Sequence, residues 1–243
     1  MMVKMEFEES EWRKKKFAQD FVENADYYIL ERKKLFEIMK SLYKHFLANK
    51  IEDKPIKFLE LGCGDGRITQ ELLSVDKKLE GTLIDGSKEM IENAKKRLKS
   101  YPNLNYIQIT FQELIKSDLN KFDFIVSSLA IHHLSMSQKE ALFKFIYDHL
   151  NNGGFFLNID TIKAPSNDLE EWYLMLWKEW IKERETENEI SESFQHIPQK
   201  YKNNPDNHPD TLKNQLNSLE SIGFKNVDCY YKYGIFSVYG GQK

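Results

Sequence analysis

Lys57-Phe-Leu-Glu-Leu-Gly-Cys-Gly-Asp-Gly-Arg-Ile-Thr69 decides the fold: an apolar run halts at three alternating glycines and then turns amphipathic. The order implied is strand, tight turn, helix. Gly62, Gly64 and Gly66 free the backbone and clear side chains from where a ligand would meet the main chain. Arg67 then opens a helix whose first N–H groups have no internal partner. Such a turn suits a nucleotide-like ligand. The dinucleotide fingerprint G-x-G-x-x-G would need glycine at position 67, where Arg67 stands, so an NAD-binding dehydrogenase is disfavoured.

Around this turn, apolar and amphipathic stretches alternate. Strands are expected at Ile56 to Leu61, Leu79 to Ile84, Leu104 to Ile109, Phe122 to Ser128 and Phe155 to Ile159, with helices between them. Ser87 reads as an N-cap before Lys88, and the Lys95 to Lys99 basic run suits that helix's end. Ser135 to Leu150 reads as a helix closed by Gly153 and Gly154 in a left-handed C-cap. Strand–helix alternation demands a mostly parallel sheet with helices on both faces. Residues 7–50 carry apolar positions at helical spacing, including Phe17, Phe21, Tyr28, Leu35, Met39 and Tyr43, which gives two or three amphipathic helices. Ile51 to Pro55 reads as a short polar connection. Residues 161–210 break the rhythm with a helical insertion in which Trp172, Tyr173, Leu176, Trp177 and Trp180 share one face. Thr211 to Ile222 is a closing helix with Gly223 past its end, and Asn226 to Tyr231 with Ile235 to Tyr239 forms a hairpin.

The 243 residues suffice for one large α/β domain: a helical lid at 1–54, a core at 55–160, the insertion at 161–210 and a closing segment at 211–243. A formal net charge of −3 supplies no general field for nucleic acid. Cys63 and Cys229 are the two cysteines, with neither disulfide nor metal-ligand spacing, as a reducing cytosol would favour. No apolar run approaches the ~20 residues of a membrane span, and Met1 to Lys16 is charged rather than leader-like. A cytoplasmic protein without a membrane anchor is expected.

The pattern Glu60-x-Gly62-x-Gly64-x-Gly66 resembles motif I of the class I S-adenosylmethionine (SAM)-dependent methyltransferases. Leu83-Ile-Asp-Gly86 stands where that family places the acid that holds the ribose hydroxyls, and a carboxylate, which only accepts, suits paired hydroxyl donors. The resemblance implies a Rossmann-like seven-stranded sheet with an antiparallel last strand, helices before motif I covering the site, and SAM as cofactor with S-adenosylhomocysteine (SAH) as product. Cofactor contacts are then expected from Glu60, Gly62, Gly64, Gly66, Asp85, Gly86 and Ser127. Thr110-Phe-Gln-Glu113 occupies the place where the family commonly has an Asp for adenine. Thr110 replaces it, so Thr110, Gln112 or a main-chain carbonyl would meet the amino group and Phe111 the ring face.

Methyl transfer from a sulfonium is mainly in-line positioning, but a hydroxyl, amine or carbon acid also has a proton to lose. Candidate bases are His132, His133, Asp160 and His208. The Ile-His-His-Leu134 turn resembles that of phosphoethanolamine methyltransferases, in which a histidine pairs with an N-terminal tyrosine; this implies His133 with Tyr27 or Tyr28, Tyr28 being our choice. Ser127-Ser-Leu-Ala replaces the Asn/Asp-Pro-Pro-Tyr/Phe of base-amine methyltransferases, and no Pro-Cys serves a cytosine carbon-5 enzyme. A small-molecule acceptor is expected, nucleic acid is not. Two alternatives remain: a SAM-binding enzyme that remodels SAM or modifies tRNA, and a silent scaffold that dimerises through an exposed tryptophan face at 161–190.

Overall fold

The computed structural model describes residues 10–49 and 54–243; the start of the chain at 1–9 and most of the expected connection, at 50–53, lie outside the described residues. A 3₁₀ turn at Glu11–Arg13, capped by Ser10, leads into α1 (Lys15–Tyr28) and α2 (Arg32–Tyr43). Glu31, at a φ of 51°, breaks the two helices apart. The alternation then runs β1 (Lys57–Leu61), α3 (Arg67–Leu73), β2 (Glu80–Asp85), α4 (Lys88–Arg97) and β3 (Leu104–Gln108). It continues with the four-residue helix α5 (Phe111–Leu114), β4 (Phe122–Ser128), a 3₁₀ turn at Ile131–His133, α6 (Met136–His149) and β5 (Leu150–Thr161). The insertion supplies α7 (Asn167–Glu187) and α8 (Ile197–Asn203), and the chain closes with α9 (Leu212–Ile222), β6 (Lys225–Tyr233) and β7 (Phe236–Gln242).

The sheet order is β3-β2-β1-β4-β5-β7-β6, parallel except for β7, which is antiparallel to both of its neighbours. This is the Rossmann-like α/β arrangement the alternation demands. Its strands are buried on both faces, which is why they read as apolar runs rather than as alternation. On one face Phe58, Leu83, Phe124 and Leu157 pack against Leu35, Met39, Leu72 and Ile91 of α2, α3 and α4. On the other, Leu59, Ile125 and Phe156 meet Leu142, Phe143, Ile146 and Leu219 of α6 and α9. Strand order reverses between β1 and β4, so their carboxyl ends open the crevice in which such sheets take ligands.

One expectation is corrected. The glycines after α6 do not cap it: Leu150 is already extended and pairs with Phe122, and Gly153, at a φ of 82°, sits inside β5 beside the register shift at Phe122/Phe124. A Cβ on Gly154 would lie 3.0 Å from the Asp123 carbonyl oxygen, so that glycine serves strand approach. The tryptophan face of α7 is largely packed, as an apolar helix face usually is, and is not the exposed stripe that the scaffold alternative called for. Trp177 is buried and donates to the Tyr28 carbonyl at 2.6 Å, and Trp180 donates to Glu31 at 3.2 Å. Helix α7 is therefore pinned over the α1–α2 joint, and of the three tryptophans only Trp172, at 49% exposure, faces outward.

Candidate functional site

The turn after β1 is held from below and from the side. Glu60 is buried and accepts a bond from the Thr69 hydroxyl, tying the strand end to α3; burial pushes its carboxyl up to about 8, so the group is protonated at neutral pH. Arg97 of α4 pairs with Asp65 and donates from Nε to the Asp65 carbonyl at 3.0 Å, clamping the outside of the loop. Gly66 begins α3 at a φ of 80°, where a Cβ would press on Leu98 at 2.7 Å. Gly62, at a φ of 67°, passes so close to the loop after β4 that a Cβ would meet that of Ala130 at 2.5 Å. Gly64 differs from both: nothing lies within 4 Å of its Cβ position, and it borders a cavity.

That cavity holds about 1030 Å³ of space, open mouth included, and lies over the carboxyl ends of the central strands. Of the expected cofactor residues, Gly62, Gly64, Asp85, Gly86, Thr110, Phe111 and Gln112 line it. Glu60, Gly66 and Ser127 do not. Ser127 donates to the Leu61 carbonyl at 2.8 Å and joins β4 to β1, so these three residues support the walls from behind. Asp85 accepts the Gly64 N–H at 2.9 Å and the Ser87 N–H at 2.8 Å. Burial raises its carboxyl to about 6 against the pull of those amides. Each carboxylate oxygen retains acceptor capacity, as two ribose hydroxyls require. The Thr110 hydroxyl is committed to a capping box with Glu113, donating to its carboxylate at 2.8 Å, which leaves Gln112 and the main chain to read an adenine edge. Ile109, Met90 and Phe111 give flat apolar contact.

A second cavity, of about 780 Å³, adjoins the first, and Trp12, Phe21, Leu129 and His133 line both. Its remaining wall is mostly aromatic, with Phe17, Tyr28, Trp177, Tyr201 and Phe236, and Asp20, His132, Thr161, Lys200, Asn204 and Asn207 supply polar atoms. Leu129, immediately after β4, holds a φ of 52°, left-handed backbone that costs a branched residue about 1–2 kcal/mol and is tolerated where surroundings over-determine it.

His133 is engaged at both ring nitrogens. Nε2 accepts from Trp12 Nε1 at 3.0 Å, and Nδ1 donates to the Asp206 carbonyl at 3.1 Å. Burial, reinforced by His132, pushes the ring down to about 3, so it is neutral across the physiological range. A free proton acceptor is not what this arrangement presents. Its N-terminal partner is Trp12; Tyr28 lines the second cavity with its ring near Phe21 and Phe194. His208 is exposed at the mouth of the first cavity, its N–H donating to the His132 carbonyl at 2.7 Å. Nothing in the sequence marked Ser10, Trp12, Phe21, Leu129 or Asp206 for this site; Trp12 and His133 are 121 positions apart, and no local pattern carries such a contact.

Residues 59–156 match the family model described as a methyltransferase domain. The matched stretch is a methyltransferase domain, a kind of domain for which SAM is the implied cofactor. The enzyme is 24% identical over 195 residues to carboxy-S-adenosyl-L-methionine synthase of Nautilia profundicola, covering 79% of each chain. It is 33% identical over 132 residues to an uncharacterized methyltransferase of Oceanobacillus iheyensis, covering 53% of this chain and 59% of that one. Its fold is shared with PigF solved with SAH, at a TM-score of 0.60 and 13% identity, over 96% of this chain and 60% of that one. Human N-acetylserotonin methyltransferase with SAM gives 0.53 and 14%, over 93% and 58%. The methyltransferase thus spans little more than half of those solved chains. Among its described residues no helix is long and apolar enough to cross a membrane, and no group of three side chains could hold a metal ion.

Proposed function

We propose that this methyltransferase moves the SAM methyl group to a small molecule seated in the second cavity. The observation that carries the reading is the shared wall: Trp12, Phe21, Leu129 and His133 border both spaces, so cofactor and acceptor would meet across a few side chains. Asp85 would take the ribose, Gly62 and Gly64 the main-chain side of the cofactor, and Gly86, Thr110, Phe111 and Gln112 its adenine end. Glu60, Gly66 and Ser127 would hold those walls in place. Neutral His133, braced by Trp12 and Asp206, would present an uncharged surface beside the sulfonium, and Tyr28 would shape the acceptor wall. In-line approach then supplies most of the acceleration.

The likeness to carboxy-SAM synthases raises a second reading, since such a cofactor bears an added carboxylate. A buried carboxylate needs a cation or several donors. Among the described residues the first cavity is lined by no lysine or arginine but does contain Asp85 and Asp206, which favours ordinary SAM. With Lys200 as its one basic residue among aromatic walls, the second cavity favours a small acceptor over tRNA. Calorimetric titration with SAM and with SAH tests the cofactor arm. Micromolar binding of both, about −8 kcal/mol, is expected, and no binding of either refutes the site. Incubation with methyl-labelled SAM and total tRNA should leave the RNA unlabelled; label in RNA would refute the small-molecule arm.

A further inference from the structure

The mechanism so far leaves one buried pair without a task. Asp160, at the end of β5, accepts the His132 main-chain N–H at 2.9 Å through Oδ2 and lies 2.6 Å from His132 Nδ1 through Oδ1; the Thr161 N–H adds a third bond at 2.8 Å. One carboxylate therefore fixes both the backbone and the ring of His132. Its proximity makes Nδ1 the protonated nitrogen and leaves the lone pair on Nε2, at the opposite edge of the ring. Among the described residues no hydrogen-bond partner stands at Nε2, and His132 lines the second cavity but not the first. His133 shows the contrast, with both nitrogens occupied.

The cavity says what kind of molecule would meet that nitrogen. Phe17, Phe21, Tyr28, Trp177 and Phe236 build walls suited to a flat apolar body; among the polar groups that share the lining, Asp20 accepts from Asn24, Lys200 lies over the Phe17 ring, and His132 adds an imidazole acceptor. We propose that His132 is the catalytic base, with Asp160 as its positioning residue, and that the acceptor is a phenol-type or enol-type hydroxyl compound. The inference rests on the reading that SAM fills the first cavity. The hydroxyl oxygen attacks the sulfonium methyl carbon as its proton passes to His132 Nε2. The O–CH₃ bond forms, the S–CH₃ bond breaks with its electron pair left on sulfur, and the products are the methyl ether, SAH and an imidazolium paired with Asp160. An aliphatic alcohol is too weak an acid for a neutral imidazole, whereas a phenol, with a pKa of about 10, is within reach once its anion forms in the transition state. Besides Asp160, the titratable groups about His132 are His133 on the same turn, Tyr201 of α8, Lys139 of α6 and His208 of the following loop.

The test uses the full chain with SAM, SAH and three probes: phenol, 4-chlorophenol and 4-nitrophenol. SAH release is expected with these probes. His132→Asn should lower kcat by about 100-fold or more, keep SAM affinity, and abolish the acidic limb of the rate–pH profile. Asp160→Asn should move that limb to lower pH, because the imidazolium loses its counter-ion, a change that a purely structural pair would not produce. A readout independent of turnover and of any variant is the spectrum of 4-nitrophenol bound to the SAH-loaded enzyme, which should show the visible phenolate band at a pH where the free probe is mostly neutral. SAM binding without release of SAH from any probe, 4-nitrophenol bound in its neutral form, or His132→Asn within threefold of wild-type kcat would each overturn the inference. Failure to bind SAM or SAH would instead remove the cofactor reading beneath it.

Discussion

The three glycines after β1 are not equivalent, and alanine scanning should separate them. At Gly64 the Cβ position is open and borders the first cavity, so Gly64→Ala pays only for a left-handed φ of 52°, about 1–2 kcal/mol. At Gly66 the same backbone term applies, and the new methyl would strike Leu98 at 2.7 Å and Ala94 at 3.3 Å, adding about 1–3 kcal/mol of overpacking. For a chain of this size 1 kcal/mol moves Tm by about 2–4 °C, so Gly64→Ala should melt roughly 2–8 °C below wild type and Gly66→Ala roughly 4–20 °C below. Binding should rank the other way. A methyl group on residue 64 would intrude where the cofactor meets the main chain, and a steric cost of about 1–3 kcal/mol weakens SAH roughly 5- to 150-fold. Gly66→Ala, folded and below its own Tm, should keep near-wild-type affinity. Scanning calorimetry and titration with SAH on the two variants read both axes. Wild-type SAH affinity in Gly64→Ala would show that the loop does not touch the cofactor, and equal Tm values in the two variants would show that Leu98 and Ala94 yield without cost.

Asp85→Asn should weaken SAH by about 10- to 100-fold through loss of a charged acceptor. In the wild type, SAH affinity should fall as pH drops through about 6, where the Asp85 carboxyl takes its proton, and the variant should lack that step; titrations from pH 5 to 8 decide it. Glu60→Gln should flatten the dependence of stability on pH. A carboxyl raised to about 8 in the fold and near 4 when unfolded binds its proton more tightly in the native state, so wild-type stability falls as pH climbs from about 4 to 8. The neutral amide should therefore be the more stable protein at pH 8–9 by chemical denaturation, and a variant less stable there would show that Glu60 is ionised and held. Trp12→Phe tests the wall between the cavities. Of the four tryptophans only Trp12 lines the first cavity, so SAH should change the fluorescence of the wild type and leave that of Trp12→Phe unaffected.

What was legible in the sequence was what a few adjacent residues can encode. Gly62 and Gly64 need positive φ, Asp85 ends an apolar run, and Thr211 and Gly223 punctuate α9; each signal is local, and each stands where its chemistry placed it. The Gly153–Gly154 pair misled for the same reason. A glycine in left-handed backbone ends a helix or kinks a strand with equal ease, and the pairing of Leu150 with Phe122 decided between the two. The His-His turn was visible as a candidate base, but which ring is free depends on Trp12, Asp206 and Asp160, at separations of 121, 73 and 28 positions. Hydrogen bonds of that range leave no periodicity to read.

The two cavities divide along that same line. The floor of the first is built from the ends of β1 to β4 and the turns that follow them, segments whose dihedrals and caps are fixed within a few residues, while Ser10, Trp12, Phe21, Asp206 and His208 reach it from outside the motif. The second is closed by α1, α7, α8 and the approach to α1, none of which contains a motif; Trp177 ties α7 to α1 at the Tyr28 carbonyl, and the sheet is met by Trp177 edge-on to Phe236 and by Tyr201 on Thr161 at 2.7 Å. Substitutions in those helices change the shape of the acceptor space without touching Asp85 or the glycines. An enzyme so partitioned can alter what it methylates while its cofactor site is held constant. This is why the cofactor could be expected from thirteen residues, whereas the proposed acceptor class rests on the positions of His132, Asp160 and the aromatic walls around them.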